Sequence, residues 1–498
     1  MKKGKERSLK LNILASMTIQ IISLLVNLIS KRAIRMFLGI EYLGIQSLYS
    51  NFCDVMSFAY FGMGTAMLYS MYGAFAKDNR EEIASVYRYY DKLYQKTTGF
   101  VLAGGALCTF LALYTVNREF DATLVCVTYW IYMLSVVVFN RQLVRNYFIQ
   151  ADQRRYVVAF VTGGVDLVAL GTEILVLYWF RSYELFLTCI LLKNIVINFL
   201  LKLYLKVRYP YLDESSKPLD IGVKNRISID VKDMVIFRFG KVLISSTDSI
   251  FISKFTGTVL LGIYSNYQFV LMGVNSMVGT LFESVRGRIG YEVQTENINK
   301  QYRSFRKYLG MNSWLMGFTV ICFYFLIQDF IYLWMGEVDY LSSDIVLILL
   351  LNYYITFSHS TVQTYREALG IFQKIRNFIL IKGVMNIVLS TILGLLWGLK
   401  GILIATTISS LVTVFWYEPI VIYRYFQKSI WNEVLYHIVT IVLMGISYGI
   451  TYLAVNHMQG QGVTFFFKKG IICAIASNVI YALLFGIYKL GLRGRNES

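Results

Sequence analysis

The chain has 498 residues, 56% of them hydrophobic and only 16% charged, with a mean hydropathy of +0.54. A soluble fold of this size could not hide so much apolar surface, so composition excludes a soluble enzyme or binding module and requires an integral membrane protein. The formal charge of +18 would suggest nucleic acid in a soluble chain; here its distribution gives it another meaning.

Apolar runs recur from end to end, each near the roughly 20 residues that cross a hydrocarbon core. They predict an all-α polytopic membrane protein with spans at roughly 11–34, 42–70, 97–116, 122–140, 156–180, 184–205, 234–256, 258–282, 309–334, 343–362, 377–399, 401–423, 434–455 and 468–488. The weak alternating signal of an outer-membrane barrel is absent. The first run follows the basic start MKKGKERSLK without a small-residue cleavage site, so it reads as a retained first span.

With both termini cytoplasmic, 35 of the 48 Lys and Arg fall on the cytoplasmic side and 9 on the outer side. The remaining 4, Lys193, Arg238, Lys241 and Lys382, lie inside apolar spans. That asymmetry is the positive-inside signal, and no nucleic-acid partner is needed to explain it.

Span 1 carries a polar stripe, Ser16, Gln20, Ser23, Asn27 and Lys31, followed at its outer end by Arg32 and Arg35. Span 2 has another, Gln46, Ser50, Asp54 and Ser57. Asp166 in span 5 and Lys193 in span 6 reach similar depths and read as a structural pair, with Glu173 two turns further along the face of Asp166. Between spans 6 and 7 runs a linker, roughly 208–232, containing YPYLDESSKPLD; its basic content suits a solvated cytoplasmic loop or anionic lipid headgroups.

Span 7 is the most charged. Arg238, Lys241, Ser245 and Asp248 follow a 3, 4, 3 spacing and share one narrow helical face. At 1.5 Å per residue Arg238 lies about 6 Å from the cytoplasmic edge, near enough to snorkel, whereas Lys241 and Asp248 lie about 10 and 21 Å deep. Span 8 repeats the stripe more weakly with Tyr264, Gln268 and Asn275. A mid-membrane charge costs roughly 2.5–3.5 kcal/mol on insertion scales, so such groups face a partner or water. Four striped spans therefore predict a shared polar cavity. Its candidate substrate contacts are Lys241, Arg238, Asn27, Gln20, Gln46 and Asn275, and its candidate gating or coupling groups are Asp54, Asp248, Lys31, Arg32 and Arg35. Asp54 is expected to pair with Lys241 when the site is empty, and Asp248 to meet the basic end of span 1 in an outer gate.

The chain also reads as two copies of one unit. LGIQSLYSN (43–51) matches LGIYSNYQF (261–269) at an offset of 218, and Gln153 in QADQRRY matches Gln373 in GIFQKIR at 220. Six spans per copy give a parallel repeat. The expected organisation is an N-terminal lobe at 1–207, the linker at 208–232, a C-terminal lobe at 233–425, and two appended spans with a tail at 426–498.

The cysteines at 53, 108, 126, 189, 322 and 473 have neither CxxC nor paired outer spacing, and imply neither disulfide nor metal. His359, His437 and His457 form no HExxH, and no phosphate-binding loop occurs, so no cofactor is expected. His359 reads as a satisfied buried histidine.

Residues 37–83, FLGIEYLGIQSLYSNFCDVMSFAYFGMGTAMLYSMYGAFAKDNREEI, resemble the start of Wzx-type polysaccharide flippases of the multidrug/oligosaccharidyl-lipid/polysaccharide (MOP) exporter superfamily. The G-x-E-Y-L-G turn (39–44), FGMGTA (61–66) and the Lys-Asp-Asn-Arg-Glu-Glu loop (77–82) carry the resemblance. Tyr72-Gly73-Ala74-Phe75-Ala76 departs from the Tyr-x-Pro-Leu-Ala of many members, which bears on subgroup. The resemblance implies a two-lobed transporter in a bacterial cytoplasmic membrane, MATE-like in fold. It would move an oligosaccharide on undecaprenyl pyrophosphate to the outer leaflet, with membrane lipids around it and polysaccharide assembly machinery as a candidate contact. The basic and hydroxyl-binding residues of the striped spans suit such a headgroup.

Two other classes share some of these features. A multidrug cation antiporter of the superfamily would have the same fold but favours an acidic or aromatic cavity. A polysaccharide polymerase or glycosyltransferase would carry catalytic groups on a sizeable outer loop, which the spans leave no room for. The topology yields a direct expectation: single cysteines at Asn79 and Asp213 stay protected from a membrane-impermeant thiol reagent in intact cells, while one at Asp339 reacts. Labelling of Asn79 from outside would reverse the orientation.

Overall fold

The computed structural model describes residues 2–76, 79–116, 120–214, 222, 224, 247–336, 340–369, 371, 373–460 and 462–496. Every regular element among the described residues is a helix. A hydrocarbon layer enforces this, because a helix satisfies its backbone groups within one segment. Among the described residues nine helical segments are long and apolar enough to span a membrane, and the chain is an all-α, multi-pass membrane protein. Helices also cover the expected spans 1, 2 and 8. Most of the expected linker, and span 7 as far as residue 246, lie outside the described residues.

Contacts divide the chain into two compact units, residues 1–262 and 263–498. The first holds α1 (Lys2–Phe37), α2 (Ile40–Ala76), α3 (Arg80–Thr115), α4 (Ala122–Ala151), α5 (Arg155–Phe180), α6 (Tyr183–Arg208) and α7 (247–256). Three of these helices start at N-caps of the favoured type: Asn79 accepts from Glu82 N, Asp121 from Thr123 and Leu124 N, and Ser182 from Leu185 N. α1 packs on α5, α4 on α6, and α2 on both α3 and α4. The core is rich in tyrosine; Tyr60, Tyr90 and Tyr94 are fully buried. A buried tyrosine needs a partner for its hydroxyl, and Tyr94 donates to Tyr60 O at 2.9 Å while Tyr60 donates to Thr98 at 2.8 Å. Leu107, Phe110, Val168 and Trp179 point outward, as lipid-facing side chains should.

One close approach rests on glycine. A Cβ on Gly44 would strike the Thr258 carbonyl, and one on Gly262 would strike the Ile40 carbonyl. Gly44 of α2 and Gly262 at the start of α8 (Thr258–Thr295) thus let two backbones touch, the small-residue packing that replaces hydrophobic drive in lipid. They are also the matching glycines of the two LGI segments.

The second unit continues α8 and adds α9 (Ile298–Met335), α10 (Ser343–Phe357), α11 (Ser360–Leu369), α12 (Gln373–Val412), α13 (Val414–Tyr425), α14 (Trp431–Val455) and α15 (Val463–Asn496). The segment 283–308, expected as a loop, is instead mostly helical. α8 and α9 have 38 residues each, about 57 Å at 1.5 Å per residue, and so outrun the hydrocarbon. Charged pairs support the extensions, with Arg288 2.9 Å from Glu292 and Lys300 2.8 Å from Glu296, both at i, i+4. α12 includes the expected break between spans 11 and 12 at Gly398, whose φ of 55° reverses the chain.

Span 10 is broken rather than continuous. Ser358 and His359 separate α10 from α11, and both are buried. The carbonyls freed there are satisfied from neighbouring helices. Asn312 of α9 donates to Ser358 O and, at 3.4 Å, to Phe357 O, and the Tyr436 hydroxyl of α14 donates to Ser358 O at 3.5 Å. A second break at Thr413 separates α12 from α13, which also contains Pro419. Beyond the breaks, Arg366 of α11 and Glu418 of α13 form a buried ion pair.

Gly44→Val should lower the thermal midpoint of the purified protein, with a destabilisation of about 1–3 kcal/mol from overpacking. Gly279→Ala, which meets no neighbour within 4 Å, should leave the midpoint unchanged. Equal midpoints for wild type and Gly44→Val would remove the close approach as a packing constraint.

Candidate functional site

The candidate site lies on the polar sides of α1 and α2 and on α7, all in the first unit. α1 runs without interruption to Phe37, so residues 27, 31 and 35 share one face. Lys31 and Arg35 are half-buried, and Arg32 and Asn27 are exposed. The Asn27 amide donates to Ser23 O one turn back at 2.7 Å, which leaves its carbonyl oxygen to face outward as an acceptor. The opposite side of the helix buries Val26, Ala33 and Ile34. Three cations therefore stand within two turns at one end of a helix whose other face is fixed by packing.

The stripe of α2 divides in two. Gln46 and Ser50 are half-buried and Asp54 is exposed. Ser57 is not on that face. It is buried and accepts a 2.8 Å hydrogen bond from Asn140 of α4, because the step from 54 to 57 rotates it toward α4. Ser57 is therefore a packing residue. Tyr49 belongs to the same inner face, bonding Val125 O at 3.1 Å and Thr128 at 2.9 Å.

Asp248 is buried near the start of the described part of α7. The helix is held to α2 and α3 by polar contacts: Asn51 donates to Ser249 at 3.0 Å, Ser253 to Thr115 O at 3.3 Å, and Lys254 to Tyr114 O at 3.1 Å. The Lys254 ammonium also sits 3.7 Å from the centre of the Tyr114 ring. A lysine at the C-terminal end of α3 complements its exposed carbonyls. Lys254 was not among the sequence candidates; its signal was position, two residues short of the end of an apolar run. Arg238, Lys241 and Ser245 lie outside the described residues, as does the side chain of Gln20. Asn275 is half-buried on α8, where Gln268 donates to the hydroxyl of Tyr264 at 2.5 Å, so two members of that stripe satisfy each other.

The charges of spans 5 and 6 form the expected pair. Lys193 Nζ lies 3.2 Å from Asp166 Oδ1. Glu173 is buried and accepts a 2.9 Å hydrogen bond from Ser30 of α1, which anchors the cationic end of α1 to α5. Because α4 continues to Ala151, Arg141 and Arg145 stand on a helix rather than in a loop. Arg141 lies 3.4 Å from Asp91, and Arg145 donates to Asn198 at 2.5 Å.

In the second unit His359 is buried beside Glu433 and His437, and its Nε2 has no hydrogen-bond partner. It is therefore not the satisfied histidine expected from sequence, because no donor or acceptor of α9 or α14 reaches that nitrogen. The i, i+4 spacing of Glu433 and His437 was the signal available in the sequence.

In the first unit Lys31, Arg32 and Arg35 are cations and Asn27 and Gln46 are amides, the groups that in general bind anions and hydroxyls. Solved structures share the fold. A lipid II flippase, MurJ, in an inward closed conformation matches with a TM-score of 0.67 at 14% identity, covering 95% of this chain and 99% of its own. The fold is that of these exporters. An inward-facing multidrug resistance MATE family transporter of the MOP superfamily matches at TM-score 0.65 and 13% identity, over 80% of this chain and 96% of its own. An outward-facing structure of such a transporter matches at 0.57 and 15%, over 81% and 92%. No family model and no curated protein matches the sequence.

Asp166→Asn and Lys193→Met should each reduce the amount of folded protein in the membrane, at a cost of up to about 3 kcal/mol for breaking a half-buried pair within the membrane. The double variant should recover most of it. Normal abundance of both single variants, with loss of activity, would instead place the pair in the transport path.

Proposed function

We propose that the protein is a flippase. It translocates a lipid-linked oligosaccharide of the undecaprenyl pyrophosphate type from the cytoplasmic to the outer leaflet of a bacterial cytoplasmic membrane, by alternating access. The observation that carries this reading is the near-complete fold match to a lipid II flippase, over 95% of this chain and 99% of that one. The MATE transporter matches 80% of this chain.

The chemistry of α1 supports the same reading. Lys31, Arg32 and Arg35 cluster at one helix end, while Asn27 and Gln46 offer amides to hydroxyls. A pyrophosphate with attached sugars needs both kinds of group. A drug cation would be repelled by the first. The proposed roles follow the sequence: Lys241, Arg238, Asn27, Gln20, Gln46 and Asn275 contact the headgroup, and Asp54, Asp248, Lys31, Arg32 and Arg35 gate or couple. Both termini are placed in the cytoplasm, in keeping with the basic loops, and the two lobes of the repeat would move against each other.

Deleting the gene should cause one lipid-linked oligosaccharide to accumulate in the inner leaflet and surface polysaccharide to fall. Lys241→Ala should reproduce that defect at normal membrane abundance, by at least about 10-fold if one charge-assisted contact worth about 1.5–3 kcal/mol is lost, whereas Lys241→Arg retains part of the export. Full export by Lys241→Ala at normal abundance would take this residue out of the site. Altered drug resistance on deletion, with surface polysaccharide intact, would favour the antiporter.

A further inference from the structure

The second unit buries three titratable side chains that the proposed substrate path does not use. His359 lies at the break between α10 and α11, and Glu433 and His437 stand one turn apart at the start of α14. Their side chains are 3%, 0% and 6% exposed. One donor atom from each lies within 4.8 Å of the others. His437 Nε2 is 3.4 Å and His359 Nε2 3.8 Å from the same oxygen, Glu433 Oε1.

Both converging imidazole nitrogens, His359 Nε2 and His437 Nε2, are buried without a hydrogen-bond partner, and the Glu433 carboxylate between them is fully buried. Two buried imidazole nitrogens left so beside a buried carboxylate are costly, each by the desolvation of its group. An apolar replacement would cost less, so the cluster calls for a ligand that all three atoms share.

Geometry and chemistry agree on its class. Metal–ligand bonds of about 2.0–2.1 Å in a tetrahedral shell put donor atoms roughly 3.4 Å apart, close to the two separations to Glu433. The imidazoles are also held in orientation. His437 Nδ1 meets the Tyr354 hydroxyl at 2.8 Å, the outer contact that fixes a ligating histidine. The Phe415 ring packs on both imidazoles, with centroids 4.6 Å from His359 and 4.7 Å from His437. The Tyr423 hydroxyl faces Glu433 from α13. Two imidazoles and one carboxylate suit a first-row transition ion, whereas Na⁺, Mg²⁺ and Ca²⁺ prefer oxygen throughout.

We propose that His359, Glu433 and His437 form a site for a divalent transition-metal ion, best fitted by Zn²⁺, which fastens the break between α10 and α11 to α14. With three protein ligands the site keeps a fourth position for water or a tyrosine hydroxyl. The inference stands on the second unit alone and does not depend on the transported substrate.

The test uses full-length protein purified through a tag without histidine and stripped with a chelator. Titration with Co²⁺ should give one equivalent bound per chain with the visible absorption of a tetrahedral nitrogen- and oxygen-ligated ion, and Zn²⁺ should displace it and raise the thermal midpoint. His359→Gln, Glu433→Gln and His437→Gln should each abolish the band, while His457→Gln should not. Should a Gln variant fail to fold, His437→Cys keeps a donor and should shift the Co²⁺ band toward thiolate charge transfer. No stoichiometric Co²⁺ or Zn²⁺ binding by the wild type would overturn the proposal. So would binding that survives Glu433→Gln and His359→Gln together, or a transport defect of Glu433→Gln when the wild type binds no metal, which would make the cluster a proton site.

Discussion

A backbone carbonyl that leaves its helix inside hydrocarbon has only protein to bond to, and this constraint organises the second unit. The break at Ser358 and His359 frees the carbonyls of residues 357 and 358, and Asn312 with Tyr436 receives them. Asn312 is fully buried, a position that would be expensive for an amide without that task. Once the break is stabilised, the imidazole of His359 can point across to α14 instead of lying along a continuous helix. The His–Glu–His cluster therefore depends on an asparagine of α9, the helix before the broken span.

The first unit meets the constraint differently. Its spans are unbroken helices among the described residues, so the polar groups that must be satisfied there belong to side chains. The Tyr94 hydroxyl bonds the Tyr60 backbone, Asn140 covers Ser57, Ser30 covers Glu173, and Lys193 covers Asp166. On the outward-facing side of α1 and α2 stand Asn27, Arg32 and Asp54, all exposed.

Much of this was legible in the sequence. The hydropathy period placed the helices because each span must be apolar for about 20 residues whatever it packs against. The Asp166–Lys193 pair was legible because two opposite charges at one depth have few alternatives to each other. The break in span 10 was not legible: Ser358 and His359 are ordinary helix residues, and no Pro or Gly marks the site, so the cause lies in partners far along the chain. The long α8–α9 hairpin was missed for a related reason, since charged helix beyond the membrane has the composition of a loop. Glu433 and His437 escaped notice because an i, i+4 pair is common, and only His359, brought in by the fold, completes the set.

The buried pair between Arg366 and Glu418 ties α11 to α13, and each of these half-helices begins at a break, one at Ser358–His359 and the other at Thr413. Two independent joints would give the half-helices two separate rotations. A tie that cannot be opened without stranding a charge away from water removes one of them. The pair then works as the coupling rod of a linkage: a bend at either joint is imposed on the other, and a side chain that restrains the first joint restrains both.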